Sequence, residues 1–404
     1  MFSAFSERMQ ADLGRVKSLV DLHDHALKLF YSSVSHVRSP VAAPNEAGDQ
    51  WSAVRLRDPG KLSWQIYNHC AAVTRLYAIY SAFVEDLVAE YLKILPRLYE
   101  TYDLLPEAVL NQHRTGVGQI LLKLGDTGPY RHLKEGEIIP KLAHGLTGGH
   151  PYGLLKEAFL IDRQNYRFEV LGKLLGYLGI EAACARISSH PLMKSFLSER
   201  RGDGATCESE LNDFVRLRNL AAHGQAEDVV SPDEHRLIAD FISVLCSVLT
   251  ELLAKAVMLR RVELGQYVDL GVIIHVYHEN KVAIVKMNSA SIRVDDEVVL
   301  VREKRSAFAK IRTIQNEGVS VDSFVATGGE ELGIELSHGC RVGEVLRRMQ
   351  IDVTPSPKQE DLFMTVELAA SLSDSVSTLD DELEIAPSEN ESVEDGGVSP
   401  APGE

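Results

Sequence analysis

The spacing of apolar residues changes at about Val262, and this change divides the chain into two kinds of structure. Before it, apolar residues recur every three to four positions, as they do on one face of an α-helix. After it, apolar and polar residues alternate in short runs, as they do in β-strands with one buried face. The sequence therefore predicts an all-α helical bundle over residues 1–260 and a small β-barrel over residues 261–349.

The helical part begins with a long amphipathic segment over residues 5–32. Its apolar positions near one stripe are Met9, Leu13, Val16, Val20 and Leu27. A stretch with Pro, Gly and Asp interrupts the pattern at residues 39–50, so that a second helix can face the first. Later helices are predicted over residues 69–95, 106–125, 165–180, 208–224 and 231–259, and a Gly- and His-rich loop is predicted over residues 143–153. The last helix has Ser231 as its expected N-cap and Pro232 at its first position.

The alternating segments after Val262 are separated by short turns. These turns are Glu279-Asn280, Asp295-Asp296, Asn316-Glu317-Gly318 and His338-Gly339. About six strands of this kind suit a small closed barrel, which leaves no unpaired sheet edge.

The formal net charge of −16 is concentrated at the C-terminal end. Residues 351–404 contain 14 Asp and Glu and one basic residue, Lys358, so they hold −13 and leave only −3 for the rest of the chain. Segments rich in Pro, Ser and acid without a sustained apolar face do not form a core. We expect residues 350–404 to be a disordered acidic tail, and the near-neutral remainder leaves local basic patches possible.

Five cysteines, Cys70, Cys184, Cys207, Cys246 and Cys340, lie far apart, and none forms a C-x-x-C pair. They are expected to be reduced, and no metal site or cofactor is expected. No run reaches the roughly 18 apolar residues of a membrane span, and the first 20 residues lack the pattern of a secretory signal. We expect a cytoplasmic protein without a membrane partner.

The strongest candidates for catalytic side chains lie in the segment RLRNLAAHG, residues 216–224. Cutting RNA requires a base for the ribose 2′-OH, a donor for the charged phosphorus intermediate and an acid for the leaving 5′-oxygen. His223 and Arg218 could supply these without a metal. On an ideal helix the two lie about 140° apart, so a local distortion and the reach of the Arg side chain must bring them to one rim. The residues alone leave open a surface arginine beside a histidine that ends a helix.

The segment RLRNLAAHG resembles the R-N-x-x-x-H-G form of the motif of the HEPN superfamily of helical ribonucleases and nucleotide-associated proteins. The segments RLYAIYSAFVEDLVAEYL and NYRFEVLGKLLGYLGI resemble helices of its RiboL-PSP branch, so that the likeness extends from about Met1 to Leu259. The motif departs from its commonest form at Ala221, where Ile or Val is more usual, a change that concerns packing.

The resemblance implies a metal-independent RNA endonuclease that leaves a 2′,3′-cyclic phosphate, acting as a toxin or antiphage effector. It assigns acid-base catalysis to His223, contact with the scissile phosphate to Arg218 and orientation of the motif to Asn219. It also implies a homodimer with both motifs facing one cleft, with RNA as substrate and a neutralising or regulatory protein as a possible partner. The alternative is a non-catalytic HEPN subunit that binds nucleotides or partners within a larger defence complex.

Five other polar residues are weaker candidates for the site. Glu85 could line the cleft, although a solvated helix face explains it as well. His144 and His150 in the Gly-rich loop could border RNA, but such loops often carry histidine without function. His23 and His25 are two apart on a helix and point to different sides, which disfavours a metal site.

The strand-rich segment resembles the second-domain barrel of translational GTPases, through residues 271–301 and 330–346. That likeness implies a module that contacts RNA or protein partners. The chain has no G-x-x-x-x-G-K-[ST] loop, so it is not expected to hydrolyse GTP.

Overall fold

A computed structural model describes residues 2–36, 57–125, 128–149, 152–161, 165–202, 204–224, 229–277, 281–302 and 305–349. Within these residues helices come first and a β-sheet domain follows, so the predicted fold class is confirmed. The expected disorder of residues 350–404 lies outside the described residues.

Nine α-helices lie in the described part of the chain. They are α1 (Ser3–His36), α2 (Lys61–Leu98), α3 (Glu107–Leu121), α4 (Glu135–Leu146), α5 (Phe168–Tyr177), α6 (Ala183–Ser189), α7 (Pro191–Arg200), α8 (Cys207–Ala222) and α9 (Pro232–Glu263). Two single 3-10 turns, Tyr102–Leu104 and Lys156–Ala158, connect them. The predicted loop over residues 143–153 begins later than expected, because α4 continues through His144 to Leu146.

The three longest helices, α1, α2 and α9, pack against one another, and α8 packs against α2. On α1 the predicted apolar stripe is buried at Met9, Leu13 and Val16 and half-buried at Val20 and Leu27. Within the described residues, α9 alone is long and apolar enough to cross a membrane by length and composition. Its most apolar window is 56% buried inside the protein, as in the core helix of a bundle.

The start of α9 has the predicted cap. The Ser231 hydroxyl accepts a hydrogen bond from the Glu234 backbone N–H at 3.1 Å, and Pro232 occupies the first helical position. Capping of this kind satisfies a backbone donor that the helix itself leaves unpaired. The local sequence therefore fixes where α9 begins.

Nine antiparallel strands follow α9 in the described residues. They are β1 (Tyr267–Tyr277), β2 (Val282–Met287), β3 (Ala290–Arg293), β4 (Glu297–Arg302), β5 (Arg305–Asn316), β6 (Val319–Val321), β7 (Ser323–Ala326), β8 (Glu331–Leu336) and β9 (Val345–Met349). The order β4-β9-β1-β2-β8-β5 closes on itself because β5 also pairs with β4, while β6 extends β5 and β3 pairs with β7. The small closed barrel is thus present, with its own core that includes Leu270, Val285 and Ile334.

The barrel turns explain the breaks in the alternating pattern. Asp295, Glu317 and Gly318 have positive φ angles of 69°, 50° and 81°. The left-handed region is reached at low cost by Gly and by residues such as Asp in turns. Two of the predicted turns, at residues 295–296 and 316–318, are therefore found where the sequence placed them.

The close packing of Gly116 on α3 can be tested with a matched pair of glycine variants. A Cβ atom built on the buried Gly116 would lie 2.1 Å from the carbonyl oxygen of Ala158, whereas one on the exposed Gly118 would meet nothing within 4 Å. We predict that Gly116→Ala lowers the free energy of unfolding by about 1–3 kcal/mol, because backbone must move. Gly118→Ala should raise it by about 0.5–1 kcal/mol through helix propensity. Urea denaturation measures both, and equal effects would show that α3 does not pack as described.

Candidate active site

The motif of residues 216–224 lies at the C-terminal end of α8. A capping box between Thr206 and Ser209 fixes the start of this helix, and Phe214 and Val215 are buried. The helix ends at Ala222, His223 is its C-cap, and Gly224 follows with a φ of +69°. A glycine in this left-handed conformation is a frequent helix terminator, so the predicted helix end is found.

The guanidinium of Arg218 is held by three contacts. Its Cζ atom lies 4.1 Å from the ring centroid of Tyr77 on α2, a cation–π contact. Its Nη1 donates to Oδ1 of Asn165 at 2.8 Å and to Oδ1 of Asn219 at 2.9 Å. The side chains of Arg218 and Asn219 are therefore in contact.

These contacts leave one edge of the guanidinium available. Nη1 carries two hydrogens, and both are used by Asn165 and Asn219. Among the described residues, Nε and Nη2 of Arg218 have no hydrogen-bond partner. That edge presents two parallel N–H groups, the geometry that binds a phosphate through two oxygens. The half-buried Arg218 is thus oriented with a bidentate donor edge unoccupied.

A buried tyrosine cluster positions the chain that supplies Asn165. The Tyr166 backbone N–H donates to Oη of Tyr77 at 3.1 Å, and Oη of Tyr80 donates to the Tyr166 carbonyl at 3.1 Å. Burial raises the pKa of Tyr80 well above its ordinary value, which keeps this hydroxyl protonated as a donor. Asn165 itself adopts a φ of 59°. These contacts join residues far apart in the sequence, and the sequence analysis did not find them.

Glu85 lies at the far end of the same cluster. It is half-buried on α2, and Oη of Tyr166 donates to its Oε1 at 3.4 Å. Through this hydrogen bond Glu85 is joined to the residue that follows Asn165. Its place in the cleft stays a prediction.

His223 is placed differently from Arg218. It is exposed, and its backbone N–H donates to the Asn219 carbonyl at 3.1 Å. Among the described residues its imidazole makes no hydrogen bond or ion pair. Asn219 therefore contacts both residues, Arg218 through its side chain and His223 through its main chain. The orienting role of Asn219 stays a prediction.

Among the described residues, no hydrogen bond or ring contact joins the remaining candidate histidines to this site. His144 is exposed in the last turn of α4, His23 and His25 are exposed on α1, and His150 lies outside the described residues. Within the described ranges no group of three or more His, Cys, Asp or Glu side chains could hold a metal ion. All five cysteines are free thiols.

Comparison with protein families finds one match in the helical region. The family described as RiboL-PSP-HEPN matches residues 55–255, a range that includes α2, the tyrosine cluster and the motif at the end of α8. This match supports the HEPN assignment of the helical region, with α1 outside the matched range. No curated protein matches the chain.

Two solved structures are similar to part of the chain. Both are described as the C-terminal domain of a putative U32 peptidase from Geobacillus thermoleovorans, one of them as a selenomethionine variant. They are 17% identical, and the match covers 20% of this chain and 90% and 99% of theirs, with a TM-score of 0.18. The likeness of the barrel to translational GTPases stays a prediction.

The conformation of Asn165 leads to a test of how Arg218 is held. We predict that Asn165→Gly, which suits the positive φ but removes the hydrogen bond, lowers the free energy of unfolding by about 1 kcal/mol. Asn165→Ala should lower it by about 1 kcal/mol more, because it also strains the left-handed backbone. Chemical denaturation of the three proteins gives both differences. An alanine variant at least as stable as the glycine variant would contradict this conformation.

Proposed function

We propose that the protein is a metal-independent RNA endonuclease whose site is Arg218, Asn219 and His223. The observation that carries the proposal is the oriented guanidinium of Arg218, whose Nε and Nη2 edge is unoccupied by the described residues. The RiboL-PSP-HEPN match over residues 55–255 supports it. A ribonuclease needs such a donor at the scissile phosphate.

The proposed reaction is an internal transfer at phosphorus. The ribose 2′-oxygen attacks the phosphorus, its proton passes to a base, and the bond from phosphorus to the 5′-oxygen breaks as that oxygen takes up a proton. Imidazole can both accept and release a proton, so His223 supplies acid-base catalysis. Arg218 stabilises the negative charge on the phosphorane oxygens. The products are a 2′,3′-cyclic phosphate and a free 5′-OH.

We further propose that the active unit is a homodimer joined through the helical region. Arg218 is held against α2, while the exposed His223 lies at the helix end with its ring unoriented by the described residues. A two-fold dimer would place the His223 of one protomer near the Arg218 of its partner. The cleft would then hold both motifs over one RNA.

The biological role that fits these parts is a cytoplasmic toxin or antiphage effector. In it the barrel contacts an RNA or protein target, and a protein partner neutralises or regulates the nuclease. The alternative is a non-catalytic HEPN subunit that binds nucleotides or partners. It is favoured by one observation, that nothing among the described residues orients the imidazole of His223. An assay of RNA cleavage by the purified protein distinguishes the nuclease from the non-catalytic subunit.

Substitution of the motif gives the direct test of the enzyme. We predict that Arg218→Ala and His223→Ala each lower the rate of RNA cleavage by about 10²-fold to 10⁴-fold. Arg216→Ala is the matched control, because Arg216 is exposed on the same helix and pairs with Asp213. Cleavage of tRNA and rRNA is followed on gels with and without EDTA. Wild-type rates for His223→Ala, or activity that EDTA removes and a metal restores, would refute the proposed site.

Mixing the two inactive variants tests the shared site. If each site takes Arg218 from one protomer and His223 from the other, half of the dimers in an equal mixture are mixed, and each has one intact site. We predict recovery of about one quarter of the wild-type rate after exchange of protomers. Light scattering checks that the protein is still dimeric after the protomers have exchanged. No recovery from fully exchanged dimers would place each site within one protomer.

A further inference from the structure

A large cavity lies in the helical bundle between the second half of α1, the first half of α2 and the start of α9. Its volume is about 1060 Å³, at the upper end of the range of small-molecule sites. Apolar side chains form much of its wall, with contributions from Val16, Val20, Leu27, Ala72 and Val230. The residues of the HEPN motif do not line it, so the cavity is a separate feature of the bundle.

The polar part of the wall is a pair of buried histidines, His69 on α2 and His235 on α9. Nδ1 of His69 and Nε2 of His235 lie 3.0 Å apart, and the two residues are 1% and 5% exposed. Among the described residues, Nδ1 of His235 has no hydrogen-bond partner. A buried polar atom without a partner costs free energy, which a polar group of a ligand can recover. Apolar walls around this one nitrogen therefore favour a ligand with an apolar body and a single polar group.

The charged residues of the wall favour an anion as that polar group. Lys28, Lys61 and Arg75 line the cavity against one carboxylate, that of Asp24, which gives a balance of three positive charges to one negative. Asp24 is paired with Lys28 at 2.6 Å, whereas Lys61 and Arg75 have no ion-pair partner among the described residues. Along the axis of α2, Lys61 lies about 12 Å before His69 and Arg75 about 9 Å after it. The two free cations therefore flank the histidine pair and attract an anion through their field, without having to touch it.

His235 can respond to an anion by taking up a proton. Burial, and then the neighbouring His69, lowers the pKa of His235 to about 4, so that its imidazole is uncharged at neutral pH. A carboxylate in contact with the imidazole favours the protonated form and raises this pKa. Proton uptake then turns a lone buried carboxylate into an ion pair, which offsets the cost of burying it.

The other charged groups around His235 do not supply that anion. On α9 itself, Glu234 is paired with Arg201, and Arg236 is paired with Asp21 and Asp233. The titratable side chains that line the cavity together with His235 are His23, Asp24, Lys28 and Tyr31 on α1 and Lys61, His69 and Arg75 on α2. Because the carboxylates among these groups are already paired with cations, the anion that stabilises a protonated His235 has to come from a ligand.

We propose that this cavity binds a small carboxylic acid with an apolar body, whose carboxylate pairs with a protonated His235. The apolar part of the ligand lies among the aliphatic side chains of α1 and α2, and Lys61 and Arg75 attract the anion to the cavity. The site is separate from the candidate active site, and the inference does not depend on the proposed nuclease activity.

Binding to the full-length protein is tested with sodium decanoate as the probe and with 1-decanol as its uncharged match. Isothermal titration calorimetry should give one decanoate per chain, and decanol should bind at least about tenfold more weakly because it cannot form the ion pair. Kd should also fall roughly tenfold with each two CH₂ groups from octanoate to dodecanoate, the effect of burying them. Decanol that binds as tightly as decanoate, or an affinity independent of chain length, would overturn the proposal.

The pH dependence of binding tests the role of His235. Because the anion and the proton bind together, the Kd of decanoate should fall several-fold from about pH 8 to about pH 6. Proton uptake is measured as the difference in binding enthalpy between phosphate and Tris buffers. In His235→Phe, which keeps a ring but has no nitrogen, Kd should rise at least about tenfold and both effects should disappear. An affinity that does not change with pH, or a pH dependence that His235→Phe keeps, would contradict the pairing with His235.

A matched pair of variants on α1 tests whether the ligand lies in the cavity. Val20 is half-buried and lines the cavity, whereas Leu22 is 60% exposed and does not line it. Val20→Trp should therefore weaken decanoate binding at least about tenfold by filling the space, and Leu22→Trp should leave Kd unchanged. Melting temperatures check that both variants fold, and the chain-length and pH series of the wild-type protein decide the proposal if Val20→Trp does not. Equal decanoate affinities of the two folded variants would place the ligand elsewhere and overturn the site.

Discussion

The stacking of Arg218 on Tyr77 is the contact on which the candidate site depends. It joins α8 to α2, the helix that also packs against α1 and α9, and it orients the guanidinium. A preoriented donor requires little reorganisation as charge develops on a phosphate. The hydrogen bond that Arg218 donates to Asn165 fixes the same group, and the tyrosine cluster holds the backbone of the neighbouring Tyr166.

The helical bundle and the barrel are stabilised by separate hydrophobic cores. The bundle buries its apolar faces around the three long helices and leaves the end of α8 at the surface, while the barrel closes its sheet and forms a separate core. Each therefore has its own source of stability.

Features set by local sequence could be predicted, and features set by distant contacts could not. The period change near Val262, the Ser231 cap and the Gly224 helix end depend on neighbouring residues, and each is found in the structure. The contact between Arg218 and Asn165 joins residues 53 positions apart, and the His69–His235 pair joins residues 166 apart, so no local pattern encodes either. The motif itself was found through its family resemblance, since spacing alone left a surface Arg and a helix-ending His equally open.

The chemical ends of the RNA fragments test the central claim most directly. Mass spectrometry of fragments made by the wild-type protein in EDTA should find 2′,3′-cyclic phosphate on one side of each cut and 5′-OH on the other. Internal attack by the 2′-oxygen gives these ends, whereas attack by water gives others. Fragments with 3′-OH and 5′-phosphate ends, made by the same preparation, would contradict the account.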